Sequence, residues 1–359
     1  LRILDVSVPS NPTETGSFYT GSSTRGVHVS GNYAYLAESY DGLRIIDISV
    51  PSNLTEVGFY ETGGSAISVY TSGNYAYIAD GTAGLSIIDV SAPSNPSEVG
   101  YFDTEDYVSS VYVLGNYAYL ADGSEGLRIV DINTPSNPAE VGFYVTEDDA
   151  ECVYVSGNYA YVGAGNSGLR IIDISTPSNP VEAGFFDTED DVESIYISGN
   201  YAHLAISFDG LQIIDVSDPA DPVDIGFYET GDYPHGVYVS ENYVYVTDED
   251  AGLFIFQNKL LVGIERIEVP VSTFILYQNY PNPFNPSTII SYTVPYSDFV
   301  TLKIYDMLGR EIRTLVSKFQ KADMYSINFN GNGLSSGIYF YKLLIGNNIV
   351  ETKKMVLIH

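Results

Sequence analysis

The chain has a single cysteine, Cys152, no tryptophan, and only 15 basic residues among 359. One thiol excludes an internal disulfide framework and a cysteine-based metal site. The few Lys and Arg stand against 46 Asp and Glu, for a formal net charge of −31. That balance argues against a nucleic-acid partner, whose phosphates need cationic side chains to displace their counterions. No run of about eighteen apolar residues occurs, so no membrane-spanning helix is expected. No stretch carries a 3.6-residue apolar stripe, which disfavours a helical solenoid. An initiating Met is also lacking: the chain begins at Leu1, in the middle of a repeat. An upstream segment is therefore expected, with a signal peptide as a candidate part of it.

What the chain has in abundance is self-similarity. The stretch "SGNYAYLA" at Ser30 returns in related form at Ser72, Leu114, Ser156, Ser198 and Ser240, always 42 residues on. The pairs Gly42-Leu43, Gly84-Leu85, Gly126-Leu127, Gly168-Leu169, Gly210-Leu211 and Gly252-Leu253 keep the same interval. Each unit reads as four short strands, a to d. In the unit from Gly26, "VHVS" and "YAYLA" flank a two-residue "GN" turn. "LRIIDIS" follows a Gly-containing loop and is stopped by "PSN", since Pro donates nothing to a ladder. "TEVGFYE" is the fourth strand. Four strands at this period fit a propeller blade.

The chain opens with strands c and d, runs through five full units, and closes with a, b and c. If "TETGSFY" (13–19) supplies the missing d, the ring closes and hides its sheet edges. The expectation is an all-β chain: a six-bladed β-propeller of four-stranded blades over 1–257, a linker over 258–268, and a second β domain over 269–359. One strand is left over, because "LRILDVS" and "GLFIFQ" compete for one slot. A truncated, larger propeller therefore also fits. The boundary near 258 coincides with a charge shift: 39 acidic and five basic residues precede it, seven acidic and ten basic follow.

The motif "GNYAYLA…GLRIIDIS.PSN…EVGFY" resembles the LVIVD-repeat proteins, which implies a β-propeller of a bacterial or archaeal surface and no particular activity. The final segment resembles the type A C-terminal sorting domain of the type IX secretion system. The matching residues are Asn279, Tyr280, Pro281, Asn282, Pro283, Phe284, Asn285 and Pro286, then Asp306, Gly309 and Arg310, then Gly337 and Tyr339, and finally Lys353 and Lys354. The resemblance implies an immunoglobulin-like β-sandwich of seven strands. It further implies passage through the outer membrane of a Gram-negative bacterium with the secretion machinery and its sortase as partners, then release or attachment to surface lipopolysaccharide.

Candidates for chemistry are few. "GAGNSG" (163–168) matches a dinucleotide-binding spacing, but a strand rather than a helix follows, so it reads as a b–c loop. Asp5, Asp47, Asp89, Asp131, Asp173 and Asp215 recur at the end of strand c and are expected to shape turns. Tyr33, Tyr75, Tyr117, Tyr159, Tyr201 and Tyr243 are expected to pack between blades. The b–c and d–a loops of a blade share one face, and about half of all carboxylates fall there. They include Glu38, Asp80, Glu105, Asp106, Asp122, Asp148, Asp149, Glu189, Asp190, Asp191, Asp232, Asp248 and Asp250. A solvated face, a calcium site built on Asp106, Asp148, Asp149, Asp190 and Asp191, and a cationic protein ligand all fit this density. No cofactor is otherwise called for.

Just before strand a, the register reads Arg25, Ile67, Ser109, Glu151, Glu193, His235. In a closed ring these residues would decorate an axial entrance, with Arg25 and His235 as neighbours and His28 beside them. Drift at an unconstrained position gives the same pattern. Cys152 has no basic neighbour in sequence and reads as structural. The reading that follows is a secreted, surface-attached, non-catalytic binding propeller with a glycan, a protein or calcium as ligand. The alternative is an extracellular hydrolase or lyase using Glu151, Glu193, His235 and Arg25, with His and Glu as acid and base. A structural surface-layer spacer is a third.

Overall fold

The computed structural model describes residues 1–104, 106–188, 190–230, 233–240, 242–249, 251–257, 275, 276, 279, 282–294, 298–321, 323–345 and 348–358. Pro281, Glu105, Glu189, Asp232, Asp250 and the linker expected over 258–268 lie outside them. The chain divides into two compact units, Leu1–Val262 and Gly263–His359.

In the first unit, β1 (Arg2–Asp5) and β2 (Thr13–Ser17) form a two-stranded sheet. Five four-stranded antiparallel sheets follow. Blade 1 is β3 (Gly26–Ser30), β4 (Tyr33–Ala37), β5 (Leu43–Asp47) and β6 (Thr55–Tyr60). Blade 2 is β7 (Ser68–Ser72), β8 (Tyr75–Ala79), β9 (Leu85–Asp89) and β10 (Ser97–Phe102). Blade 3 is β11 (Val108–Leu114), β12 (Tyr117–Asp122), β13 (Leu127–Asp131) and β14 (Ala139–Tyr144). Blade 4 is β15 (Ala150–Ser156), β16 (Tyr159–Ala164), β17 (Leu169–Asp173) and β18 (Val181–Phe186). Blade 5 is β19 (Val192–Ser198), β20 (Tyr201–Ile206), β21 (Gly210–Asp215) and β22 (Val223–Tyr228). A three-stranded sheet of β23 (Pro234–Ser240), β24 (Tyr243–Asp248) and β25 (Gly252–Gln257) ends the unit.

Local chemistry explains the repeat. In the Gly-Asn turns only the glycine has positive φ, between 58° and 61° at Gly31, Gly73, Gly115, Gly157 and Gly199. That is the II′ pattern, which matches the twist of the flanking strands. Asp5, Asp47, Asp89, Asp131, Asp173 and Asp215 each accept a hydrogen bond from the backbone N–H two residues on, at 2.8–2.9 Å. These Asx turns redirect the chain after every third strand. Each fourth strand then pairs with the third through a one-residue bulge, for example between Glu98 and Gly100. Bulges of this kind blunt an exposed sheet edge.

The blades bury their apolar faces on one another. One core cluster joins Tyr77, Leu85 and Ile87 of blade 2 to Val108, Val111, Val113 and Leu120 of blade 3, and Tyr75 packs against it. The outer margin interlocks as well. A Cβ added at Gly58, Gly100, Gly142 or Gly184 would stand 2.1–2.2 Å from the carbonyl oxygen of Pro93, Pro135, Pro177 or Pro219 in the next blade. Only glycine leaves room for that turn.

The expected six-blade closure does not form by the route expected. β2 pairs with β1 rather than with β25, and β24 is the partner of β25 among the described residues. Leu1 and Phe18 pack on Ala34, Leu36 and Ile46, so the β1–β2 sheet takes the place of a preceding blade's outer half. Val27 and Val29 of β3 are 55% and 57% exposed, whereas Val69 and Val113, at the equivalent positions of blades 2 and 3, are 5% and 4% exposed. At the other end Tyr238 is exposed while Tyr70, Tyr112 and Tyr154 are partly buried. Among the described residues the faces at the two ends of the array are thus uncovered. The cause is that β1 and β25, both third strands, keep their own local partners instead of sharing one slot.

The second unit holds a sheet of β26 (Ile275–Leu276), β27 (Ser287–Val294) and β30 (Asp323–Asn330). It also holds a sheet of β28 (Asp298–Tyr305), β29 (Glu311–Gln320), β31 (Gly337–Ile345) and β32 (Asn348–Leu357). Tyr292, Leu302, Phe329, Tyr341 and Leu357, drawn from both sheets, share one core with Phe284.

The blade interlock makes a prediction. Gly100→Ala should destabilise the repeat unit by about 1–3 kcal/mol, the usual cost of forcing extra volume into a packed site. Chemical denaturation checks this, and an unchanged midpoint would contradict the interlock.

Candidate functional site

The b–c and d–a loops meet on one face, as isolated bridges between Ser39 and Ala66, Gly81 and Val108, and Gly123 and Ala150 attest. The carboxylates there split into two populations. Glu38, Asp80, Asp122 and Asp248, at the ends of the second strands, are buried rather than solvated. Asp80 accepts hydrogen bonds from Thr62 Oγ1 (2.6 Å), the Gly64 N–H (3.0 Å) and Ser86 Oγ (3.3 Å). Burial pushes its carboxyl up, and these bonds oppose the shift. Asp122 is raised by burial too, opposed by the Thr104 hydroxyl and by Arg128, whose Nε lies 3.4 Å away. Arg128 also pairs with Glu125 (2.7 Å) and Glu140 (3.1 Å). Arg44 repeats this fork with Asp41 and Glu56. These groups fasten loops to strands.

The second population gathers at blades 4 and 5. Glu151 is raised by burial and then by the charges of Glu193, Asp149, Asp191 and Asp148. Asp191 is raised by burial and then by Glu193, Asp148 and Asp190. Glu193 accepts hydrogen bonds from Ser207 Oγ and the Tyr233 hydroxyl, both at 2.6 Å. The Tyr233 ring lies 5.1 Å from that of His235, and His235 Nε2 is 3.8 Å from Glu249. Glu151, Glu193 and Asp191 therefore feel one another, with Tyr233 as a member not anticipated from the repeat pattern.

The other expected members stand elsewhere. Arg25 is exposed, and among the described residues its side chain makes no ion pair. His28 begins an aromatic file: His28, Tyr70, Tyr112, Tyr154, Tyr196 and Tyr238 succeed one another with centroids 4.5–5.2 Å apart. His28 Nδ1 is 2.8 Å from Thr71 Oγ1, and burial lowers its pKa. Burial raises Tyr70, Tyr112 and Tyr154 to about 12. The file is packing between inner strands, and its period-42 spacing was open to detection in the sequence.

Of the residues proposed for calcium, Asp106 is engaged by the N–H (2.9 Å) and Oγ (2.5 Å) of Ser124. Asp148 accepts from the Asp149 N–H at 3.0 Å. Among the described residues no group of three or more His, Cys, Asp or Glu is arranged to hold a metal ion. Cys152 is buried, its thiol pushed up by burial, and its Sγ donates to the Val192 carbonyl at 3.2 Å. "GAGNSG" leads through a three-residue 3₁₀ turn, Gly165–Ser167, straight into β17.

In the second unit the motif residues tie chain segments together. The buried Asn279 donates its N–H to the Tyr341 hydroxyl (2.7 Å) and its Nδ2 to Thr288 (2.9 Å). Asn282 Oδ1 accepts the Val356 N–H (2.8 Å). Phe284 is buried beside Phe329, with ring centroids 5.9 Å apart, and bridges to Leu357. Pro286 accepts from the Gly331 N–H at 2.7 Å. Asp306 receives the Leu308 and Arg310 N–H groups and Arg310 Nε, at 2.7–2.9 Å, around Gly309 with φ 78°. The Tyr339 hydroxyl donates to Ser335, and Lys353 pairs with Glu351 at 3.0 Å. Asn285, Gly337 and Lys354 complete the described motif positions; the Lys354 carbonyl accepts from Asn282 Nδ2.

The family described as LVIVD repeat matches residues 1–20, 21–62, 63–104, 106–146, 148–188, 190–230 and 233–256. The secretion system C-terminal sorting domain matches 278–358. Among curated proteins none matches. A computationally designed protein, Ika8, is 10% identical over 93% of this chain and 96% of its own, with a TM-score of 0.53. Sqt1 of Saccharomyces cerevisiae is 10% identical over 76% and 93%, with a TM-score of 0.52. Likeness at this identity concerns the fold alone.

The raised carboxyls set a pH dependence. A group whose folded pKa is raised contributes stability that is present below its unfolded value and lost as pH rises through the folded one. Acidifying from neutrality toward the ordinary carboxylate range should therefore raise the melting temperature, by about 2–4 °C per kcal/mol regained. Further acidification reverses the trend. Asp47, Asp89, Asp173 and Asp215 are held below the usual 3.8 by their turn hydrogen bonds, and their contribution is lost as pH falls through the folded values. Glu151→Gln should flatten the rise. A melting temperature that falls steadily from pH 7 would contradict the assignment.

Proposed function

The chain belongs to the LVIVD-repeat family, and from that membership and the sorting domain behind the repeats we propose that it is a non-catalytic binding module displayed outside the cell. The type IX sorting domain marks it as a secreted protein. On this reading the propeller-like array of four-stranded blades is the cargo, and the tail, taken as an immunoglobulin-like sandwich, is its export tag. The sortase then removes the tag, and surface lipopolysaccharide of a Gram-negative outer membrane anchors the cargo. The ligand is a glycan, a cationic protein or calcium. The observation that carries the reading is the coupling of this tail to repeats whose recurring polar groups, the six turn aspartates among them, serve the fold in blade after blade.

One observation favours a second reading, an extracellular hydrolase or lyase. Glu151 is raised by burial and by Glu193, a shift in the direction that general-acid chemistry uses. Glycan and calcium titrations with parallel turnover assays separate the two. Saturable binding without turnover supports the module; turnover abolished by both Glu151→Gln and His235→Ala supports the enzyme. Deleting 269–359 should leave the repeats folded but retained in the periplasm. Finding the truncated protein outside the cell would overturn the role given to the tail.

A further inference from the structure

The outer rim carries a feature that neither the blade cores nor the loop face uses. In β6, β10, β14, β18 and β22 the residue after the strand glycine is an aromatic ring: Phe59, Tyr101, Phe143, Phe185 and Phe227. All five are exposed. Arg128 and Arg170 lie over the rings of Phe143 and Phe185, at 5.1 and 4.6 Å from the centroid. Tyr101 faces Ser86 across the strand pair instead and is 65% exposed. Leaving such rings in water at the same place in every blade forgoes the burial that favours aromatic side chains inside.

Two of these rings, Tyr101 and Phe143, border grooves whose far wall is the Pro-Ser-Asn-Pro turn of the next blade. Between β10 and blade 3 the groove measures about 410 Å³ and is lined by Glu98, Gly100, Tyr101, Ser136, Asn137 and Pro138. One repeat on, Glu140, Phe143, Ser178, Asn179 and Pro180 line its copy of about 360 Å³. The lining combines an aromatic face with a carboxylate, an amide and a hydroxyl, all presented by rigid strands and tight turns. A sugar ring offers the complement, an apolar C–H face bordered by hydroxyls that both donate and accept. The volumes are in the range of small-ligand sites. The acidic unit repels a polyanion, and the bulge between Glu98 and Gly100 disrupts the edge that an added peptide strand would need.

We propose that these rim grooves are sugar-binding subsites for a neutral, linear polysaccharide. Tyr101 and Phe143 stack on sugar rings, and Glu98, Ser136, Asn137 and their copies bond the hydroxyls. Repetition around the rim lets one polymer, or several strands of a matrix, engage more than one groove, multiplying weak contacts by effective concentration. The proposal rests on the binding-module reading and names its ligand class and place.

The test uses the full chain against cello-, xylo-, manno- and laminari-oligosaccharides and their parent polysaccharides, by titration calorimetry and affinity electrophoresis. Saturable binding of at least one is expected. Tyr101→Ala and Phe143→Ala should each weaken it about threefold to tenfold, the size of one lost aromatic contact, at unchanged melting temperature. Tyr101→Phe should retain most of the affinity. Binding of none of these glycans overturns the proposal, as does a peptide ligand that occupies the rim. Saturable glycan binding untouched when Tyr101→Ala and Phe143→Ala are combined overturns the groove assignment alone and leaves the module reading standing. Turnover dependent on Glu151 would instead remove the module reading.

Discussion

A four-stranded sheet with apolar residues on both faces cannot be stable by itself. Every blade here depends on its neighbour to cover what it exposes. The interlock at the rim shows how strictly that dependence is written into the chain: a strand glycine lies under a proline carbonyl of the next blade, where a methyl group would not fit. The 42-residue period follows from this need. Each unit must present the same face at the same height, so insertions are confined to loops and the turn chemistry is copied from unit to unit.

The same constraint governs charge. A blade that buries its second strand to the end also buries whatever polar residue terminates it, which is why Asp80 and Asp122 are enclosed and supplied with hydroxyl, amide or guanidinium partners. What remains for recognition lies outside the blade cores: the carboxylates around Glu151 and Glu193, and the aromatic rim. The first is electrostatically stressed and chemically versatile. The second is nearly neutral in local character and repeated.

Much of the repeat unit was legible in the sequence because its signals are local. Gly-Asn, Pro-Ser-Asn and the recurrent Asp before Ser or Asn each specify a turn through their own backbone preferences. Register along strands followed from alternation. The sorting-domain motif was legible as well, although not what it does physically: that Asn282 and Phe284 fasten the segment to the last strand depends on residues more than seventy positions away. Closure was not legible, because β1 and β25 carry equivalent strand patterns and only their partners decide which fills a slot. Nor was the burial of Glu38, Asp80, Asp122 and Asp248, since an acidic residue beside a glycine loop looks the same whether solvated or enclosed. The gathering of Tyr233 with Glu193 arises between neighbouring blades and leaves no spacing to read.

The central claim is that stability passes from blade to blade along an array whose end faces are uncovered among the described residues. Hydrogen exchange on the full chain, resolved by peptide, tests it most directly. The account predicts the slowest exchange in β8, β12 and β16, and markedly faster exchange in β3 and in β23–β25, whose outer faces lack a covering neighbour. Equal protection from β3 through β25 would contradict it, because only a ring closed on itself gives every blade two neighbours.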